Sequence, residues 1–153
     1  MRTIKFRGKR IDDGEWMYGS LVDNLWFKAD DKSPIPQIIA PTDNYSCWDD
    51  LNEDGEGIYD VNPATVGQFT GLIDKNGKEI YEGDVVNVPN FIQLWDEQSD
   101  DLTGEIKYLD GAFHINSEEP HFGEVPLLGI YTNEKTTSDI EVIGNVHDNP
   151  ELI

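Results

Sequence analysis

The sequence has almost no cysteine and no long apolar run. Cys47 is the only cysteine among 153 residues, so an internal disulfide framework is excluded and a reducing compartment is expected. No apolar stretch approaches the ~18 residues that a membrane-spanning helix needs. The first residues lead into a strand pattern rather than into the apolar core of a signal peptide. We therefore expect a cytoplasmic protein without a membrane partner.

Positive charge is also scarce. The chain carries 31 acidic and 11 basic residues, a formal net charge of −20. This charge favours solubility and repels nucleic acid, so direct nucleic-acid binding is not expected. The acids could form a solvated surface, or they could imitate the phosphate charge of DNA. Duplex DNA carries about one charge per ~1.7 Å of axis, whereas the acids here are irregularly scattered, which favours the solvated surface.

Residues that carry catalysis or bind metals are few and poorly spaced. The three histidines, His114, His121 and His147, are not placed as ligands on one helical turn or one strand. Acidic neighbours disfavour the thiolate form of Cys47 and make it a poor nucleophile. The sequence therefore predicts no catalytic residue and no cofactor.

Residues 50–55, DLNEDG, match the first half of a calcium-binding loop. The second half fails, because position eight is Gly57 and position twelve, where a bidentate glutamate belongs, is Val61. Asp60 comes one residue too early. We expect no metal site.

The densest pattern of strand formers and turn residues lies at residues 66–88, VGQFTGLIDKNGKEIYEGDVVNV. A two-residue turn there would place Lys75 opposite Lys78, which is a repulsive pair. A three-residue turn with Gly77 in the left-handed region avoids this repulsion, and we predict this register. The resulting pairs are Asp74 with Lys78, Leu72 with Ile80 and Gly71 with Tyr81.

The tripeptide Glu82-Gly83-Asp84 interrupts this run. Its two carboxylates, with Glu79 nearby, could serve general acid–base catalysis. Alternatively, Gly83 supplies unusual dihedral angles at a corner and Asp84 accepts hydrogen bonds from nearby backbone donors. We favour the structural interpretation.

Two further hairpins are predicted. The first joins residues 3–7 to residues 16–22, and its basic residues are interpreted as charges on the wet face of an edge strand. The second turns at Asp110-Gly111 as a type I′ turn. The basic residues of the first hairpin are Arg2, Lys5, Arg7, Lys9 and Arg10, and the expected pairs of the second are Tyr108 with Phe113, Ile106 with Ile115 and Lys107 with His114.

The remaining segments predict short strands and long loops. Strands are expected at residues 37–40, 125–131 and 140–146, and a long acidic surface loop at residues 41–60. A short helix is expected from the spacing of Phe91, Leu94 and Trp95, and a helix start at Asn149. Five aromatic residues lie in loop-like segments, where they either anchor an interface or fold back onto the core, and we favour folding back. They are Trp26, Phe27, Trp48, Phe91 and Trp95.

Short antiparallel strands punctuated by glycine predict a mainly β fold. We expect a small antiparallel barrel or a strongly bent sheet built from hairpins, with long acidic loops and one or two short helices. The length fits a single domain over residues 1–153.

Three segments of the chain resemble, in order, the YopX family of phage and prophage proteins. They are IKFRGKRIDDGEWMYGSLV at residues 4–22, TVGQFTGLIDKNGKEIYEGDVV at 65–86 and IEVIGNVHDNPELI at 140–153. The resemblance implies a β-rich fold, a phage or prophage origin, a bacterial cytoplasm and an accessory role, and it supplies no catalytic residues. Residues 41–60 and 90–102 match no family motif and are predicted to be member-specific insertions.

These observations favour a non-enzymatic domain that binds another macromolecule. The partner is an unidentified protein or a second copy of the chain. One alternative is an acidic DNA mimic that inhibits a host DNA-binding protein. Another is an enzyme that uses the carboxylates at Glu82-Gly83-Asp84.

Overall fold

A computed structural model describes residues 3–22, 35–40, 57–92, 99–119, 122–127 and 139–153. The chain divides into two compact units, Met1–Phe69 and Thr70–Ile153. The described strands are β1 Phe6–Lys9, β2 Trp16–Val22, β3 Gln37–Ile39, β4 Ile58–Asp60, β5 Gly67–Ile73, β6 Glu79–Tyr81, β7 Asp84–Ile92, β8 Ser99–Leu109, β9 Ala112–Asn116, β10 Glu124–Pro126 and β11 Glu141–Asn145. Short 3₁₀ helices lie at Pro63–Thr65 and Pro150–Leu152.

The first unit is built on antiparallel strands in the order β4–β3–β2–β1–β5. β2 and β3 approach each other very closely at Gly19, where a Cβ atom would lie 1.9 Å from the carbonyl oxygen of Ile39. Glycine is therefore required at this position. Among the described residues, the buried apolar side chains of this unit are Ile38, Val61 and Phe69.

β1 is an interior strand, so the edge-strand interpretation of its charges is wrong. Phe6 pairs with Gly19 of β2 on one side and with Gln68 of β5 on the other. The second partner lies about sixty residues away in sequence, so no local sequence pattern predicts this pairing. Ile4, which belongs to the predicted strand at residues 3–7, lies just before β1 and is 66% exposed.

The second unit contains a five-stranded antiparallel sheet in the order β10–β9–β8–β7–β11. The predicted β8–β9 register is confirmed in all three pairs. Both turn residues have positive φ, 49° at Asp110 and 85° at Gly111, as a type I′ turn requires. The buried apolar cluster consists of Ile80, Val86, Val88, Leu102, Ile106, Phe113, Ile115, Leu127, Ile140 and Val142.

The predicted turn of the central hairpin is also confirmed. The Asp74 amide donates to the Lys78 carbonyl at 2.8 Å, and the Gly77 amide donates to the Asp74 carbonyl at 3.0 Å. Gly77 has φ 83°. Ile80 is fully buried whereas Ile73 is 55% exposed, so the hairpin presents the expected face to the core.

Three predictions about the type or extent of an element are wrong in part. Phe91 lies in β7 rather than in a helix. The β7–β8 register shifts by a bulge between Val88 and Phe91, where Asn90 has φ 52°. This bulge breaks the two-residue alternation that would have marked a strand. The end of the predicted loop at residues 41–60 forms β4. Of the strand predicted at residues 125–131, the structure describes residues 125–127, and only 125 and 126 lie in β10. The predicted helix start at Asn149 is confirmed as the short 3₁₀ helix at Pro150–Leu152, although the Asn149 side chain makes no capping bond.

The mainly β prediction is confirmed in its bent-sheet form, with one sheet curled into half a barrel and a second sheet. Residues 41–56 and 93–98 lie outside the described residues, so the two insertions stay predictions, as does the single-domain assignment. No helix in the described part of the chain is long and apolar enough to cross a membrane.

Candidate binding surface

Cations and aromatic rings alternate across one face of β1 and β2. Arg7 pairs with Tyr18 and Lys9 with Trp16, and side chains two residues apart on a strand share a face. The Arg7 guanidinium lies 4.6 Å from the centroid of the Trp16 ring and the Lys9 ammonium 5.4 Å from it, while the Lys5 ammonium lies 5.7 Å from the Tyr18 ring. We call these five residues the cation–aromatic face.

The members of this face differ in exposure. Arg7 is 4% exposed and Tyr18 is 40% exposed, while Lys5, Lys9 and Trp16 are half-buried. A cation over an aromatic ring contributes about 0.5–1 kcal/mol when exposed and ~2 kcal/mol when shielded from water. The stacking therefore fixes the positions of the cations while Tyr18 remains accessible.

The turn after β1 is acidic. Arg10 binds the carboxylate of Asp12 and lies 3.0 Å from that of Asp13. The hydrogen bond to Asp12 and the two nearby carboxylates raise the pKa of Arg10, and the same hydrogen bond lowers the pKa of Asp12. The charge of Arg10 is therefore compensated within this turn.

A buried carboxylate organises the central hairpin of the second unit. Asp74 is 5% exposed. Its Oδ1 accepts from the amides of Asn76 and Lys78, both at 2.8 Å, and its Oδ2 accepts from the amide of Val142 at 3.1 Å. Burial alone would raise the pKa of Asp74, but the three backbone donors and the charge of Lys78 together hold it below its ordinary value. Asp74 therefore ties the turn to β11.

The same turn makes further contacts with the strand β11 and the residue before it. The Lys75 amide donates to the Ile140 carbonyl at 2.8 Å. The Lys75 ammonium lies 2.6 Å from the Glu141 carboxylate, which raises the pKa of Lys75 and lowers that of Glu141. The Asn76 amide group lies 3.4 Å from Glu141. Two of the three segments that resemble a known family thus hold each other in place.

The corner at Glu82-Gly83-Asp84 has the predicted structural geometry. Gly83 has φ 80°. Asp84 is 1% exposed and accepts from the Tyr81 amide at 2.8 Å. The Tyr81 hydroxyl donates to Glu79 at 2.6 Å. The backbone role predicted for Asp84 is confirmed.

The other candidate residues are dispersed. His114 lies opposite Lys107 on the β8–β9 ladder, as predicted, and the His147 amide donates to Asn145. Phe91 is partly buried and packs edge-on against Phe122 at 5.9 Å, so it folds back onto the core. The calcium-like loop, Cys47, His121, Trp26, Phe27, Trp48 and Trp95 lie outside the described residues. The described residues contain no group of three His, Cys, Asp or Glu side chains that could hold a metal.

Comparison with known proteins supplies the family. A model of the YopX protein family matches residues 5–153, nearly the whole chain. The chain belongs to the YopX family. It is also similar to the crystal structure of protein EF1440 from Enterococcus faecalis, with 25% sequence identity, a TM-score of 0.53 and coverage of 99% of both chains. No curated protein matches this YopX sequence.

The cation–aromatic face of this YopX protein was only half visible in the sequence. The sequence shows the basic residues and the hairpin, but Trp16 and Tyr18 appear in it only as strand-forming residues. A register for this first hairpin pairs them with Lys9 and Arg7. That register is the signal that could have located the face.

Proposed function

We propose that this YopX protein is a non-enzymatic module that binds a protein partner through the cation–aromatic face. The observation that carries the proposal is the joint presence of Trp16 and Tyr18 on β2, where Tyr18 is 40% exposed and Trp16 is stacked with the buried Arg7 of β1. Tryptophan and tyrosine are among the residue types that contribute most to binding at protein interfaces. Stacking holds their side chains in place before a partner arrives, which lowers the entropy lost on binding.

The described carboxylates that could suggest an enzyme have structural partners. Asp84 accepts from the Tyr81 backbone and Glu79 from the Tyr81 hydroxyl. These bonds support a binding role rather than proton transfer at the corner. Phage or prophage origin, an accessory role and action in the bacterial cytoplasm belong to the same proposal and rest on the family resemblance.

The test compares two exposed tyrosines. Wild-type protein, Tyr18→Ala and Tyr108→Ala would each be used to capture proteins from the bacterial host, and a captured partner would then be purified and its affinity measured by calorimetry. Tyr108 is a matched control because it is 52% exposed in the second unit. We expect Tyr18→Ala to weaken binding at least about tenfold and Tyr108→Ala to leave it unchanged.

Two outcomes contradict the proposal. Equal affinities of wild type and Tyr18→Ala for the purified partner would remove the cation–aromatic face from the interface. A purified partner that the protein chemically converts would replace the binding role with an enzymatic one. Sedimentation of the protein alone over a range of concentrations tests whether the partner is a second copy.

A second candidate is the acidic DNA mimic, and the charge of the second unit favours it. Residues 70–153 contain 18 acidic and 4 basic residues. A mimic should compete with DNA for a host DNA-binding protein, and the competition should weaken steeply with salt. Host restriction, repair and polymerase proteins that keep full DNA binding in excess YopX protein at low salt would contradict this candidate.

A further inference from the structure

We infer that Asn76 is a site of spontaneous modification, where loss of ammonia and addition of water convert asparagine into isoaspartate. Asparagine is a thermolabile residue, and it reacts fastest before glycine, which has no side chain to hinder the attacking amide nitrogen. Asn76 is the only asparagine of the chain that precedes a glycine. Both Asn76 and Gly77 are exposed. The central turn therefore carries the asparagine whose sequence context favours this reaction most.

The reaction balances with water as its co-reactant. The Gly77 nitrogen bonds to Cγ of Asn76 and closes a succinimide ring, and the side-chain nitrogen leaves as ammonia with the proton that Gly77 gives up. Water then opens the ring. Attack at Cγ gives aspartate, whereas attack at the main-chain carbonyl of residue 76 gives isoaspartate, in which the main chain runs through the former side chain. The isoaspartyl form thus has an additional main-chain carbon and a new negative charge.

The folded turn restrains this reaction. The Gly77 amide donates to the Asp74 carbonyl at 3.0 Å, and the Asn76 amide donates to Oδ1 of Asp74 at 2.8 Å. The attacking nitrogen must lose its proton and rotate towards the Asn76 side chain, so both hydrogen bonds oppose ring closure. Conversion then proceeds from the small population in which the turn is open. It should be slow in the folded protein and fast in the unfolded chain.

The isoaspartyl product disrupts the contacts that the turn makes through Asp74. The amides of Gly77 and Lys78 both donate to Asp74, at 3.0 and 2.8 Å. An extra main-chain carbon after residue 76 moves these two amides away from their acceptors. The Asp74 carboxylate also accepts from the Val142 amide of β11 at 3.1 Å. Displacement of Asp74 therefore loosens the attachment of the turn to β11.

The new charge adds less than the extra carbon does. Nδ2 of Asn76 lies 3.4 Å from Oε1 of Glu141, so conversion replaces a donor with a second carboxylate beside Glu141. The Glu141 side chain is 39% exposed, and solvent screens repulsion between exposed charges. Aspartate at position 76, which has the charge without the additional carbon, should therefore leave β11 attached.

The first measurement follows the reaction itself. The full chain is kept in warm, mildly alkaline buffer, with and without urea, and peptide mass spectrometry with fragmentation distinguishes asparagine, aspartate and isoaspartate at each position. We expect Asn76 to convert before the other asparagines, and at least about tenfold faster in urea than in the folded protein. The Asn76→Gln variant is the control and should stay unconverted at position 76, because glutamine would have to close a larger ring.

The second measurement follows the consequence. The isoaspartyl form is separated from intact protein by ion exchange, and hydrogen exchange is compared among this form, wild type and Asn76→Asp. The Asn76→Asp variant is matched in charge and lacks only the extra main-chain carbon. We expect the amides of Lys75 and Val142 to exchange faster in the isoaspartyl form, and at nearly the wild-type rate in Asn76→Asp.

Three results would overturn the inference. Conversion of Asn76 no faster than that of the other asparagines in urea would remove the modification site. Equal rates in the folded and unfolded chain would show that the Asp74 hydrogen bonds do not restrain the reaction. Wild-type exchange of Lys75 and Val142 in the isoaspartyl form would show that the modified turn still holds β11.

Discussion

The two units of this YopX protein bury different kinds of side chain. Among the described residues, the first unit buries three apolar side chains, whereas the second buries twelve. Buried polar residues of the first unit include Arg7, Gln37 and Thr65. Full burial of a large apolar side chain is worth about 1.5–3 kcal/mol, compared with about 0.5–1 kcal/mol for an exposed cation–aromatic pair. The described strands of the first unit thus depend more on polar contacts and close backbone approach.

Under the proposed function, the two units divide binding from stability. Residues 1–69 hold 7 of the 11 basic residues, and residues 70–153 hold 18 of the 31 acidic ones. The second unit is tied together by Asp74 and its contacts with β11. The first unit displays the cation–aromatic face. Substitutions in the second unit should therefore act on stability, and those on the face should act on binding.

Gly19→Ala should cause the largest loss of stability and should disrupt the packing of the strands in the first unit. A Cβ at this position would lie 1.9 Å from the Ile39 carbonyl oxygen, so β2 and β3 would have to separate. We expect a loss of about 3 kcal/mol, the upper end for overpacking, measured by urea denaturation. Hydrogen exchange should accelerate in β2 and β3. Ser20→Ala, an exposed neighbour on the same strand, is the control, and equal denaturation midpoints for the two variants would show that the strands can adjust.

Asp74→Ala should have the next largest effect, now in the second unit. It leaves three backbone amides, those of Asn76, Lys78 and Val142, without their acceptor. A buried group that loses its partner costs about 1–3 kcal/mol, and we expect about 2–3 kcal/mol in total. Asp74→Asn keeps one carbonyl acceptor and should lose less. If the alanine and asparagine variants were both as stable as wild type, the Asp74 carboxylate would not hold β11 in place.

The contribution of Asp74 should depend on pH. Its pKa is lowered in the folded protein, so the unfolded chain binds more protons in acid and stability falls as pH falls. The stability gap between wild type and Asp74→Asn should stay constant above the unfolded pKa of about 3.9. It should shrink as the pH drops towards the folded pKa. Urea denaturation of both proteins across this pH range provides the measurement. A stability gap that grew in acid would mean that folding raises the pKa of Asp74 instead of lowering it.

Local chemistry made some of these features predictable. The charges of Lys75 and Lys78 selected the register of the central turn, and the pair Asp110-Gly111 defined a type I′ turn. Gly83 and Asp84 identified a corner. Each prediction needed only residues a few positions apart, because turn geometry is set by side chains and dihedral angles within the turn.

Features that depend on distant residues could not be predicted in this way. Asp74 meets Val142 across 68 positions, and the strand that makes β1 an interior strand lies about sixty residues away. The bulge before Phe91 also escaped, because an inserted residue breaks the alternation that identifies a strand. The family motifs marked residues 65–86 and 140–153 without indicating that they touch. These features depend on contacts between residues that are far apart in sequence.

Gly77→Ala should have a moderate effect on the second unit. Gly77 has φ 83° and open space where a Cβ would lie, so the cost comes from backbone strain alone. We expect about 1–2 kcal/mol. Asn76→Ala should cost only a few tenths to about 0.5 kcal/mol, because Asn76 has no positive φ. Chemical denaturation of both variants compares them, and similar losses would contradict the glycine-bulge turn.

Lys75→Ala should have the smallest effect, although Lys75 adjoins Asp74. Its ammonium lies 2.6 Å from Glu141, but the two side chains are 36% and 39% exposed. Exposed ion pairs gain little because water and salt screen them. The alanine variant also keeps the backbone bond from residue 75 to the Ile140 carbonyl. We therefore expect a urea midpoint indistinguishable from that of wild type at ~0.15 M salt.

A double-mutant cycle of Lys75→Ala with Glu141→Gln isolates the ion pair from other effects of each change. A small coupling that disappears at ~1 M salt would agree with screening. A coupling as large as the Asp74→Ala effect would mean that surface charge, rather than the buried carboxylate, joins the turn to β11. The second unit would then depend on polar surface contacts as the first does, and the contrast between the two units would fail at this contact.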